Sequence, residues 1–305
     1  MPQLQQGNLI AVGQHKKIES AIALLKDALP LLPKISDILA YYELYNLAMT
    51  SNRLYHIGFG QDDLGSQPPN ITLLSGDPER ARLIAQSYLQ DVRLLSENRG
   101  LNSYIGYLPN GRPVLSATSG MGAPSLSIVV NELVQVGIRQ IIRIGTCGSI
   151  QPYVTVGSIV ISSAALCRQG AANDIAPVEY PAAADPFLTV ALVNAARKLE
   201  ISHYMGITAS VDTFYEGQER TDSANPHLMR SLDGITEEYR RLNVLNYEME
   251  CGTLFKMAGV YQFAAAAVCG VVAQRTKSEN VILEQKDTAV KNAIAVAVHA
   301  AETLV

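Results

Sequence analysis

From about residue 70 onward, apolar residues gather in short runs, each ending in glycine or another small residue. The runs fall at 71–74, 113–117, 141–144, 157–161, 206–210 and 264–272, and stretches with the spacing of amphipathic helices separate them. A segment that is apolar at successive positions has no face to offer water, so each run predicts a strand covered on both sides. Strands of this kind alternating with helices predict an α/β sandwich built on a largely parallel sheet. The beginning of the chain reads differently: over 17–29 and 34–50 the apolar positions follow helical spacing, with Pro30 and Pro33 between the two stretches. The sequence therefore divides into a helical extension over 1–50 and a second domain over 51–305, without internal repeats or low-complexity segments.

Composition narrows the picture. The chain has 305 residues, 48% of them apolar, enough to bury a sizeable core. Lys and Arg number 24 against 28 Asp and Glu, a formal charge of -4, so the chain lacks the basic excess that nucleic-acid or anionic-membrane binding needs. Cys147, Cys167, Cys251 and Cys269 stand singly, without a CxxC pair or a nearby histidine, which argues against a zinc site or a disulfide framework and fits a reducing compartment. Glu19, Lys26 and Asp27 interrupt the apolar stretch near the N-terminus, and the first arginine is Arg53, so neither a secretory signal nor a mitochondrial transit peptide is expected. No segment is apolar for long enough to span a bilayer. These features predict a soluble cytoplasmic protein.

Ligands in open α/β sheets bind beyond the carboxyl ends of the strands, and four segments there carry chemistry. Ser75-Gly76-Asp77-Pro78-Glu79-Arg80 follows the first run: Gly76 lets the backbone approach a ligand, Asp77 suits a helix cap, Pro78 suits a first turn, and Arg80 stands beside the amides. Alone, it reads rather as a capped strand-to-helix turn. Gly120-Met121-Gly122-Ala123-Pro124 opens a second helix expected to end near Gly137. Arg143 lies inside an apolar strand and is followed by Ile144-Gly145-Thr146, and a guanidinium without a carboxylate close in sequence suits an anionic partner. Arg80, Arg143 and the turn amides together can hold a phosphate dianion, although a structural ion pair for Arg143 remains open.

The fourth segment has two parts, Asp212 to Arg220 and Asn246 to Glu250. Gln218 offers an amide donor and acceptor and Arg220 offers donors only, a combination that meets the edge of a polar heterocycle. Glu250 can accept from both hydroxyls of a ribose diol. Glu248 and Glu250 read alternatively as surface charges at a helix start. Met249, Cys251 and Gly252 around Glu250 weaken that alternative. Two close carboxylates also suit glycoside hydrolysis, but arginines around an anion site favour an external anionic nucleophile.

From residue 54 to 304 the sequence resembles the nucleoside phosphorylase-I family. The resemblance is carried by Tyr55-His56, Ser75 to Arg80, Gly120 to Pro124, Arg143 to Thr146, Asp212 to Arg220 and Asn246 to Glu250. The Phe214 to Arg220 segment resembles the members that act on uridine. It implies a three-layer α/β/α sandwich around a mixed, barrel-like β-sheet, and reversible phosphorolysis of uridine, with deoxyuridine and thymidine as further candidates, to uracil and ribose 1-phosphate. Phosphate, a co-substrate, would be held by Gly76, Arg80, Arg143 and Thr146, with Arg99 from a neighbouring subunit. Ribose would be held by Met249 and Glu250, with His56 crossing the interface to the 5'-hydroxyl, and Glu248 is counted among the substrate-binding residues. The base would lie near Phe214, read by Gln218, Arg220 and Arg275. The resemblance further implies a homo-oligomer, a dimer in preference to a hexamer, without metal or organic cofactor. Gly100 after Arg99 replaces the glutamate with which some relatives hold a monovalent cation, so no such site is expected. The competing readings are a purine nucleoside phosphorylase or nucleosidase of the same fold, and a catalytically silent nucleoside-binding protein. Purine enzymes of the family carry an acid where this chain has Gln274-Arg275-Thr276.

Overall fold

The computed structural model describes residues 52–276 and 283–304. The extension over 1–50 and its two expected helices lie outside these residues. The strands are β1 (Ile71–Ser75), β2 (Gln90–Ser96), β3 (Ser103–Tyr107), β4 (Pro113–Thr118), β5 (Gln140–Ser149), β6 (Ile159–Arg168), β7 (His203–Val211), β8 (Val244–Glu248) and β9 (Ala264–Gln274). The helices are α1 (Pro78–Tyr88), α2 (Ala123–Gln135), α3 (Gly170–Ile175), α4 (Pro186–Lys198), α5 (Ile235–Arg241), α6 (Cys251–Tyr261) and α7 (Leu283–Thr303). The strands form one sheet in the order β2-β3-β4-β1-β5-β8-β7-β6-β9, and an additional β5–β9 pairing closes the last five into a barrel.

The sheet is mixed, which corrects the largely parallel reading of the hydrophobic runs. β1 is parallel to β4 and β5, and β5 to β9, but β2–β3, β3–β4, β5–β8 and β6–β9 are antiparallel. The physical reason lies in the connections: β3 and β4 are joined by a tight turn in which Leu108 N–H donates to Arg112 C=O at 2.8 Å, too short for the crossover a parallel pair requires.

Helices cover both faces. Leu126, Val129, Val130 and Leu133 of α2, with Leu254, Phe255 and Met257 of α6, pack on Leu74, Ala117, Ile141 and Ala267. On the other side Ile84 of α1, Leu188 and Leu192 of α4, and Ile294, Ala297 and Ala301 of α7 pack on Ile71, Leu73, Ile142 and Ile144. Both helices expected after glycine turns form. Asp77 caps α1 by accepting from Glu79 N–H at 2.9 Å with Pro78 in the first turn, and α2 starts after Gly122 and ends before Gly137, whose φ of 105° suits glycine alone. Register then sets the site. Ser75 lies opposite Thr118 on one side and Ile144 on the other, so the turns after β1 and β4 and the second half of β5 meet at one edge of the sheet.

Candidate active site

That edge opens into a cavity of about 600 Å³. Gly76, Arg80, Arg143 and Thr146 are among its lining residues, and a Cβ on Gly76 would come 3.2 Å from Gly120 C=O, so the two glycine turns are in backbone contact. A Cβ on Gly145 would lie on the Arg143 guanidinium itself, which explains glycine two residues after the arginine: on a strand, alternate residues share a face, and here the guanidinium folds back along it. Arg80 Nη1 donates to Ile144 C=O at 3.1 Å. Burial lowers the Arg80 guanidinium, with Asp77 acting in the opposite sense. Arg80 Nε and Arg143 Nε are buried without a hydrogen-bond partner, donors whose desolvation an anion would offset.

Glu248 and Glu250 are only 3% and 5% exposed, which removes the surface-charge alternative. The two are divided in role. Glu248 accepts from Glu250 N–H at 2.9 Å, from Cys251 N–H and from the Ser210 hydroxyl, so its carboxylate closes the start of α6. Glu250 accepts from Gly122 N–H at 2.7 Å and pairs with Arg143. Arg143 also lies 3.6 Å from Glu248. Burial alone would lower the Arg143 guanidinium, but Glu250 and Glu248 outweigh it and hold it well above its ordinary value. Burial pushes the Glu248 carboxyl up while Arg143 pulls it down. The structural ion pair left open for Arg143 is thus present, within the same cavity as the anion donors.

Phe214, Gln218, Arg220 and Tyr247 line the same cavity. The Arg220 guanidinium lies 4.2 Å from the centre of the Phe214 ring, and Gln218 sits in the single turn Glu216–Gln218. Asp212 anchors the beginning of this loop by accepting from Gly170 N–H at 2.7 Å. Arg275 lies beside the cavity, 5.1 Å from the Tyr247 ring centre. Burial pushes the Tyr247 hydroxyl up to about 12, and it contacts Thr236 Oγ1 at 3.1 Å.

Met249, Glu248 and Glu250 line the same cavity, so most of the residues singled out in the sequence converge. His56 and Arg99 do not. Arg99 sits on an exposed turn with φ 57°, 5.7 Å from the Tyr55 ring, and Tyr55 packs edge-on against His56. His56 faces a separate groove with Glu132, whose carboxylate accepts from the His56 and Ile57 backbone amides and lies 2.6 Å from His56 Nδ1.

Other contributors escaped the sequence reading. Gln169 is fully buried; its Nε2 donates to Met249 C=O at 2.6 Å and its Oε1 accepts from Thr253 N–H and Oγ1, fixing the chain on either side of Glu250. Ser210 donates to Glu248 and its Oγ accepts from Gly252 N–H at 2.8 Å. Three of the four cysteines, separate in sequence, converge: hydrogen bonding with Cys147 and Cys251 pulls Cys269 well below its ordinary range, while burial holds those two well above. Cys269 Sγ lies 3.4 Å from Arg143 Nη1. Nothing in the sequence marks this group; the β5–β9 register, with Gly145 opposite Cys269, brings Cys147 and Cys269 onto neighbouring strands.

The sequence has relatives among known proteins. A sequence model of the phosphorylase superfamily matches residues 70–304. A uridine phosphorylase of Haemophilus influenzae is 43% identical over 209 residues, 68% of this chain and 82% of that protein. One from Escherichia coli is 38% identical over 256 residues, 84% of this chain and 100% of that protein. A purine nucleoside phosphorylase of the DeoD type from a Thermoanaerobacter species is 31% identical over 250 residues, 81% of this chain and 99% of that protein. With its closed five-strand barrel, its flanking helices and a match over most of its length, this chain belongs to the phosphorylase superfamily.

Proposed function

We propose that this protein catalyses the reversible phosphorolysis of uridine to uracil and ribose 1-phosphate, as its uridine phosphorylase relatives are named for doing. The observation that carries this reading is one cavity lined together by Arg80, Arg143, Glu250, Gln218 and Arg220. Phosphate on Arg80, Arg143, Thr146 and the Gly76 amide attacks the anomeric carbon while the bond to the base nitrogen breaks. The electron pair leaves on uracil, where Gln218 and Arg220 meet the growing negative charge, with Arg275 nearby. The proton that uracil then gains is the one the phosphate monoester gives up. Positioning and electrostatics supply the acceleration, because a phosphate dianion beside a sugar of cationic character is stabilised in the transition state. Organic cofactors and metals have no part in this scheme. Four free thiols suit a cytoplasmic setting.

The acids lining the cavity among the described residues are Asp77, Glu248 and Glu250, and none stands among the base-reading groups. The strand end Gln274-Arg275-Thr276, where purine enzymes carry an acid, has none, and its Gln274 donates to Pro152 C=O at 2.9 Å. This favours uracil over purines. It also disfavours glycoside hydrolysis, since Glu248 and Glu250 are both drawn to Arg143 rather than set on opposite faces of a sugar. Purified protein is expected to release uracil from uridine only with phosphate present, with little release of hypoxanthine from inosine. Equal release without phosphate would indicate a nucleosidase, and release from neither a silent binding protein.

His56 and Arg99, away from the cavity of their own subunit, fit the expectation of a homodimer in which each serves the partner's sugar and phosphate. Mixing inactive Arg143→Ala protein with inactive Arg99→Ala protein is then expected to restore about a quarter to a half of the activity, through dimers that reassort and carry one intact site. No recovery after subunit exchange would place Arg99 with its own subunit.

A further inference from the structure

We infer that Glu219 is a positioning residue for the base: its carboxylate clamps the loop bearing Gln218 and Arg220 to the start of α5 and thereby sets base selectivity. The inference rests on the reading that Gln218 and Arg220 meet uracil. Along this loop the side chains alternate in use. Gln218 and Arg220 are 3% and 5% exposed and line the cavity; Glu219 between them does not. Its backbone is in the left-handed region, φ 55° and ψ 44°, which glycine or asparagine enters more easily than glutamate.

The carboxylate accounts for a glutamate there. One oxygen accepts from Gly234 N–H, and the other accepts from Thr236 N–H at 2.7 Å. Both amides belong to the first turn of α5, where backbone donors lack partners within the helix and negative charge is favoured. Thr236 also contacts the hydroxyl of Tyr247, which lines the cavity, so the clamp ends on the β8 wall. Upstream, the loop is closed by Arg220 N–H to Tyr215 C=O at 2.8 Å and by Gly217 N–H to Thr213 Oγ1 at 2.6 Å. Downstream, residues 221–233 form neither a strand nor a helix, and the Glu219 carboxylate spans them to tie the residue next to Arg220 to the start of α5.

Steady-state rates of the full chain with uridine and with a nitrophenyl riboside test this, because the nitrophenolate leaves without help from base-reading donors. Glu219→Ala and Glu219→Gly are expected to lower kcat/KM for uridine about a hundredfold, the riboside by less than about threefold, and to leave the phosphate KM within about twofold. Glu219→Gln, which keeps one acceptor oxygen, is expected to fall between, and serves if the smaller residues lower the melting temperature too far. Glycine removes the backbone strain, so full uridine activity in Glu219→Gly would overturn the proposal, as would equal losses on both donors. Arg220→Ala is the control. If it is selective for uridine and the Glu219 variants are not, the clamp alone is wrong. If it affects both donors equally, the base-reading role itself fails and the clamp with it.

Discussion

Glu250→Ala is expected to lower kcat/KM for uridine about a thousandfold while tightening the binding of phosphate. The first effect follows from hydrogen bonding: a buried carboxylate accepting from two ribose hydroxyls contributes about 2 kcal/mol through each, close to three orders of magnitude in rate. The second follows from the pairing of the empty site. Arg143, buried and held well above its ordinary pKa, faces Glu250 directly and Glu248 at 3.6 Å. Phosphate must compete with Glu250 for this guanidinium and must also approach the carboxylate's own charge. Removing Glu250 removes both opponents, and Glu248, committed to the α6 amides, remains to keep Arg143 from being an uncompensated buried charge. Titration calorimetry with phosphate should show a dissociation constant lower by about three- to tenfold, roughly 1 kcal/mol. Weaker phosphate binding would mean instead that Glu250 orients Arg143 for its anion.

The same pairing bears on the intact protein. If phosphate draws Arg143 away from Glu250, the carboxylate is released to the ribose diol, so phosphate and nucleoside favour each other's binding through one shared side chain. Phosphate and nucleoside binding are then coupled, and linkage makes that coupling reciprocal. No movement of the sheet is needed, since Gly145 already leaves the guanidinium room to turn.

Much of this was legible in sequence because local rules and tertiary outcome agreed. Asp77-Pro78 caps α1, the Gly-Met-Gly turn opens α2, and the runs at 71–74, 113–117 and 264–272 became β1, β4 and β9. The strands that escaped notice lack an apolar run for physical reasons. β2 is exposed along most of its length. β8 is buried at every position, yet it carries Asn246 and Glu248, which are matched across the sheet by Thr208 and Ser210 on β7. Polar residues satisfied by a neighbouring strand look like surface until the neighbour is known. Gln169 and Ser210 were missed for the same reason, since their partners lie 80 and 38 residues away.

Arg220→Ala is expected to lower kcat/KM for uridine by about a hundred- to a thousandfold, the loss seen when one donor to a developing anion is removed from a desolvated site. The fold should largely survive, because the Arg220 backbone amide keeps its bond to Tyr215 C=O and the loop keeps its attachments at Asp212, Thr213 and Glu219. Removing the guanidinium also uncovers the Phe214 ring, 4.2 Å away, so ground-state stacking of the base should be little weakened. The loss is therefore expected mainly in kcat rather than KM, the mark of an interaction made in the transition state. Lysine at this position restores charge without the planar fork that can meet a carbonyl edge, and should recover only part of the rate. Inosine supplies the complementary measurement. Its hypoxanthine ring would present a different edge to Gln218 and Arg220, so Arg220→Ala should leave the low inosine rate nearly unchanged and narrow the preference for uridine. A variant that loses both activities in equal proportion would show that Arg220 maintains the cavity rather than reads the base.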